Sequence, residues 1–399
     1  MTVEKLISLA LCSLGLFKSI QPHWLYFDQY VYTKYPNVTS DELLQEIIPA
    51  RDYSALILVP FIIAGTDYLK YKPIIILQGF FSVILCSLLI WHKKVLSLIV
   101  SQVFRGFILS TDVAFYAYIF AIVTTENYKL NVCMTQASVL FGKFLGLLLA
   151  LLLVVLEITS NLDTINYITL AFSLVSLIVT ILLPHVKPRI PTQREIIERE
   201  LRTPKRLKSS SLVREKMDKF VKDIQKVYSE ITVILWSIWM VISGCCYFIL
   251  EDKFSELLDE ATPGRPDALS YDAGTVTLAT VLGIIPILVY GLIKGTCNIY
   301  SEPVLLVLSL LQCILVLLLS TSHNIWLIYT TYTLSYIVYQ LGFVLAIFLI
   351  GNILQARRYG FVFGINLLVS MVVKLVLGVI IGNHALNLPP SSQVGILVS

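Results

Sequence analysis

Eleven apolar stretches, separated by polar breaks, decide what this chain can fold into. They fall at 5–21, 53–69, 73–91, 96–123, 132–156, 164–183, 231–250, 274–293, 301–320, 324–350 and 360–382. Most are near the ~20 residues an α-helix needs to cross ~30 Å of hydrocarbon. Hydrocarbon offers the backbone no other hydrogen-bond partner, so each stretch is expected to be helical. Only 14% of the 399 residues are charged, against ~25% in a soluble domain. The expected class is an all-α polytopic membrane protein. A soluble enzyme, a disordered scaffold and a nucleic-acid-binding domain are excluded. Nine residues follow Pro390, enough to begin a twelfth helix but not to span, so the twelfth is expected to be missing or truncated.

The placement of charge divides the chain. Residues 187–226 hold thirteen Lys and Arg against six Asp and Glu, a net of +7. The positive-inside rule puts this segment in the cytosol, and with six spans before it the N-terminus is expected there too. His92-Lys93-Lys94 then falls outside, against the rule. The division is 1–184 as an N-terminal six-helix half, 185–230 as a basic cytosolic loop, and 231–399 as a C-terminal half with five full spans and a stub. Within the loop, Val213, Met217, Phe220, Val221, Ile224, Val227 and Tyr228 recur at helical spacing with lysines between them, an amphipathic helix suited to head groups or to the mouth of the bundle. Asn37-Val38-Thr39 is the one N-x-Ser/Thr sequon in the chain and falls in an outside connection, so Asn37 is the candidate glycosylation site. The acidic connection 251–272 reads as a solvated loop.

Two six-helix halves joined by a long cytosolic connection are the plan of the major facilitator type, with a substrate site between the halves at mid-membrane. The sequence has no phosphate-binding loop, no hydrolase motif and no His or Cys cluster spaced for a metal. No catalytic residue, metal or cofactor is therefore expected. The cysteines sit mostly in apolar stretches and read as small fillers.

A charge near the bilayer centre costs about 2.5–3.5 kcal/mol on insertion scales, so it normally faces a cavity or a partner. The spans hold few: Lys18, Asp67, Arg105, Asp112, Lys143 and Lys374. Asp112 and Lys374 lie nearest the middle of their spans and are candidate substrate contacts; the alternative for both is an ion pair between the halves. Arg105 is a further candidate. Lys18 and Lys143 are near span ends and also suit snorkelling. Asp67, with Lys70 beside it, suits a gate. Lys18, Arg105, Asp112 and Lys374 together favour a substrate with negative groups. Tyr116, Tyr118, Trp236, Trp239, Tyr336 and Tyr339 are rings that could stack on a heterocycle.

Several segments resemble one family. Leu44-Gln45-Glu46-Ile47-Ile48-Pro49, Thr66-Asp67-Tyr68-Leu69-Lys70-Tyr71-Lys72-Pro73 with Leu77-Gln78-Gly79, Ala114-Phe115-Tyr116-Ala117-Tyr118, and Val362-Phe363-Gly364-Ile365-Asn366 occur in the order found in the reduced folate carrier and thiamine transporter family. The resemblance implies uptake of a water-soluble vitamin by alternating access without ATP, at the plasma membrane, with a proton or an organic or inorganic anion as counter-ion. It is thiamine-like at Asp112, where thiamine transporters carry Glu, and folate-like at Lys374. The chain departs from the family at Trp24, Arg51, Arg105 and Gln136. The mixed charges suggest thiamine, a thiamine phosphate or a reduced folate as substrate, with Asp112, Lys374, Arg105, Tyr116 and Lys18 as its contacts. A non-transporting receptor or regulatory protein on the same scaffold is the alternative.

Overall fold

The computed structural model describes residues 3–92, 94–156, 162–184, 225, 228–264, 268–293, 301–354, 359–381 and 389–396. The amphipathic helix expected in the central loop lies outside the described residues. Eleven long helices follow the apolar stretches: α1 Val3–Ser19, α2 Pro49–Leu69, α3 Lys72–Trp91, α4 Val95–Ile122, α5 Tyr128–Val155, α6 Asp163–Leu182, α7 Ile231–Ala261, α8 Ala268–Leu292, α9 Ser301–Thr321, α10 Ile325–Ile353 and α11 Tyr359–Ile381. Ten segments among them are long and apolar enough to cross a membrane; α1 has 17 residues. A six-residue helix, Pro390–Gly395, packs against α7 and α9. Several buried hydroxyls inside the helices bond back to carbonyls one turn earlier, as Ser110 does to Gly106 and Thr180 to Ser176, which satisfies them without a partner helix.

Helices α1–α6 form one half and α7–α11 the other. The halves meet where α2 packs on α11 and α5 on α8, with further contact of α11 with α4 and α10 with α5. The pole where α6 ends and α7 begins is the loop pole; the opposite end is the far pole. Glycine permits the closest approaches. A Cβ on Gly106 of α4 would overlap the carbonyl of Arg51 and the hydroxyl of Ser54 on α2, and one on Gly364 of α11 would overlap Ile63 of α2.

The α2–α3 turn explains part of the segment that most resembles the family. Lys70 closes α2 in the left-handed region (φ 58°), Tyr71 follows at φ 65°, and Pro73 stands in the first turn of α3. Lys72 points back and donates to the carbonyls of Ile181 (2.9 Å) and Leu183 (2.6 Å). It thereby supplies donors to the open C-terminal end of α6.

Two sequence expectations are corrected. Glu251 and Asp252 do not begin a solvated loop: α7 continues to Ala261, because both carboxylates meet cations of the other half. Lys143 does not reach toward an interface; it sits at mid-α5 and turns inward to Glu251.

Candidate functional site

A cavity of about 340 Å³ lies between the halves. About a third of the residues that line it are aromatic. Tyr247 and Tyr339 stack with centroids 4.2 Å apart and rings 8° from parallel. Tyr116, Trp239, Phe248, Tyr336, Phe343 and Phe363 are the other rings that line it. Such faces suit a flat heterocycle or a delocalised cation.

Among the described residues, three that line it are charged: Asp112, Lys143 and Glu251. Asp112 accepts from Lys18 Nζ at 2.7 Å and from Gln78 Nε2 at 2.6 Å. Lys18 itself stands over the Phe115 ring, 3.7 Å from its centroid. Lys143 Nζ is 3.2 Å from Glu251 Oε1, and the Tyr247 hydroxyl lies 3.4 Å from both. A chain of polar contacts crosses the halves: Tyr116 donates to Gln136 Oε1 at 2.9 Å, and Gln136 Nε2 donates to Gln340 Oε1 at 3.0 Å.

Above the cavity, at the far pole, four charges interlock. Arg51 and Asp52 stand in the first turn of α2 and pair at 2.8 Å. Arg51 reaches Asp252 on α7 at 3.1 Å. Lys374 on α11 lies 2.6 Å from both Asp52 and Asp252. The side chains of Arg51, Asp52 and Lys374 are 8–10% exposed. Every charge in the set has two opposite partners, which is the condition for keeping ions away from water. Below the cavity the loop pole closes on rings: Phe120 stacks on Tyr359 (5.2 Å) and meets Phe363, and the Tyr128 and Tyr359 hydroxyls approach to 3.4 Å.

Of the residues predicted from sequence, Asp112 and Tyr116 line the cavity, as do Trp239, Tyr336 and Tyr339. Lys18 is one contact behind Asp112. Lys374 belongs to the far-pole set, the ion-pair alternative. Arg105 stands over the Trp24 ring, and its Nη1 has no partner among the described residues. Tyr118 turns away to donate to the Pro184 carbonyl, and Trp236 is buried in the core. Asn37 and Lys70 are exposed, and the Asp67 side chain lies outside the described residues. Sequence reasoning missed Glu251, Asp52 and Asp252 because they flank apolar stretches and look like solvated ends. Their signal was a carboxylate at the edge of a span with an unmatched lysine in another.

Two of the departures from the family meet each other. Trp24 is the ring under Arg105, and Arg51 is the cation that holds Asp252. Next to Trp24, His23 is buried, with Nδ1 unpartnered among the described residues. Burial, with the Arg105 charge adding to it, pushes its pKa down to about 3.

A model of the reduced folate carrier family matches residues 4–396. Human thiamine transporter 2 is 29% identical over 96% of this chain and 85% of its own length. Human thiamine transporter 1 is 26% identical, covering 93% and 82%, and the human reduced folate transporter 28%, covering 96% and 68%. Among solved structures, a proton:xylose symporter of the major facilitator superfamily superposes with TM-score 0.67 at 11% identity, covering 99% of this chain and 94% of that one. The E. coli fucose:proton symporter gives 0.64 at 14%, covering 100% and 98%. At such identities the likeness establishes the fold. The family and its structural neighbours are membrane transporters, not enzymes. With a family match running almost end to end over a major facilitator bundle, the chain belongs to the reduced folate carrier family.

Proposed function

We propose that this protein is a plasma-membrane carrier for a flat, cationic, water-soluble vitamin of the thiamine type, ahead of thiamine phosphates and reduced folates. The observation that carries this reading is the make-up of the cavity wall: two carboxylates, Asp112 backed by Lys18 and Glu251 by Lys143, set among stacked aromatic rings. A dianionic folate tail would meet Asp112 and Glu251, while the cations once expected to receive it, Arg105 and Lys374, are engaged elsewhere. A delocalised ring cation between aromatic faces beside Asp112 gains cation–π and ion-pair attraction together. The thiamine transporters among its relatives support the same substrate class.

The N-terminus and the central loop are cytosolic in this reading, on the strength of the loop's charge, and the far pole faces outside. Transport proceeds by rocking of the halves around the cavity, without ATP. The Lys374 set is then the outer gate, and the rings around Phe120 close the inner side. Asp67 and Lys70, at the inner end of α2, border that side. A proton or an anion is the counter-ion; proton symporters occur among the structural neighbours. Asn37 faces outside and accepts a glycan.

Side-by-side uptake of labelled thiamine, thiamine phosphates and reduced folate in cells expressing the protein tests the reading. Thiamine is expected to accumulate fastest, and Asp112→Asn to reduce that uptake by at least ~10-fold, the equivalent of ~1.4 kcal/mol. Preferred uptake of folate, or full thiamine uptake by Asp112→Asn at normal surface abundance, defeats it.

A further inference from the structure

The two cavity carboxylates are neutralised in different ways. Asp112 takes its lysine, Lys18, from within its own half, together with Gln78. Glu251 takes Lys143 from the opposite half, α5 to α7. The Lys143–Glu251 pair is also the looser one: 3.2 Å, with both side chains about three-tenths exposed (28% and 30%) where they line the cavity. The far-pole pairs are mostly shorter, and three of their four side chains are 8–10% exposed. One pair is thus seated inside the substrate space, bridges the halves, and is accessible to whatever enters.

We propose that Lys143 is the internal counter-ion of the empty carrier: it neutralises Glu251 when no substrate is bound and yields that carboxylate to the substrate's cation. The proposal rests on the reading of the chain as a carrier of cations. Its physical basis is the cost of an ionised carboxylate facing a largely apolar space without a partner, a penalty that stays large even after the surroundings relax. A carrier whose empty cavity exposed Glu251 alone would be held back whenever that cavity had to close around it. Lys143 removes this penalty, and its stem and ammonium have a place to go when displaced, since Nζ already stands 5.5 Å from the Tyr336 centroid. The same residue has an opposite effect on the loaded carrier, because the substrate must compete with it. Lys143 therefore weakens binding while permitting the empty return. It is a positioning residue for the empty state, and Glu251 is a second recognition group beside Asp112.

This division predicts a split that a purely structural lysine would not produce. Net uptake needs the empty return step, whereas exchange of internal for external substrate cycles only the loaded carrier. Lys143→Gln is expected to lower net thiamine uptake by at least ~10-fold, the effect of stranding a charge worth ~1.4 kcal/mol or more. Exchange of preloaded labelled thiamine against external thiamine should stay within ~2-fold of wild type, and its KM should fall. Lys143→Met, which keeps the length of the stem, should repeat the pattern. Glu251→Gln should impair uptake and exchange together. Parallel loss of both modes in the Lys143 variants at normal surface abundance, or no loss in either, overturns the proposal. Failure of both Lys143 variants to reach the membrane assigns the pair to folding and also overturns it. A wild-type protein that neither accumulates nor exchanges thiamine instead overturns the cation reading itself, so the two failures are distinguishable.

Discussion

The far pole and the loop pole join the same two halves with different chemistry. At the far pole, Arg51 and Asp52 of α2 lock into Asp252 of α7 and Lys374 of α11. At the loop pole, Phe120, Tyr128, Tyr359 and Phe363 pack ring against ring. The difference matters when halves separate. The charged set splits into two neutral pairs, Arg51 with Asp52 in one half and Lys374 with Asp252 in the other. Opening therefore leaves no unmatched ion behind, so a charged gate need not be a permanent lock. The aromatic set has no such internal compensation, and separating it exposes apolar surface whose cost scales with area.

This contrast can be broken by substitution. The largest effect is expected from Lys374→Met, which leaves Asp52 and Asp252 with Arg51 as their shared cation; removing one partner of a buried set costs about 3–5 kcal/mol. Thermal unfolding of the purified protein measures it. The double variant Asp52→Asn with Lys374→Met keeps the Arg51–Asp252 pair and should recover at least half of the lost stability. If it recovers none, the far pole is held by something other than charge balance. A smaller effect, about 1–2 kcal/mol, is expected from Phe120→Leu, a loss of packing and ring contact at the loop pole. No second substitution that merely restores charge should repair it. Equal rescue at both poles would erase the distinction.

The smallest effect concerns the margin of the far pole, where His23 is buried beside Trp24. Its folded pKa of about 3 lies below the ordinary value of 6.5, so the folded state binds fewer protons than the unfolded one. The stability it permits is fully present above the ordinary value and is lost as pH falls from there toward 3. The loss should reach about 1.4 kcal/mol one pH unit below the unfolded pKa. His23→Gln should flatten that slope in thermal melts recorded between neutral pH and mild acid. An unchanged slope removes His23 as its source.

Much of the fold was legible in the sequence. The eleven apolar stretches became eleven helices, most with ends displaced by only a few residues. The shifts at α2 and α7 share one cause. Arg51 and Asp52 were left outside α2, and α7 was ended at Leu250, because hydropathy treats a charge as the edge of a span. In the folded chain those charges are satisfied by partners 201 and 322 positions away, as Arg51 is by Asp252 and Asp52 by Lys374. The site was half legible. Asp112 and Tyr116 were found because an isolated acid and a ring in an apolar helix face inward for a reason. Lys143 was passed over because, without knowledge of Glu251, a lysine there looks free to snorkel.

The sequence by itself determined the class, the helices, the family and part of the set of residues that carry charge through the bundle. Periodic burial in hydrocarbon is a local property of each segment, so it can be read segment by segment. Only the tertiary structure decided the role of each charge: Asp112 and Glu251 to the cavity, Lys374 to the far-pole set, Arg105 to Trp24. Ion pairing at a few ångströms depends on which helices touch and at what depth, and that is settled by the packing of all eleven together.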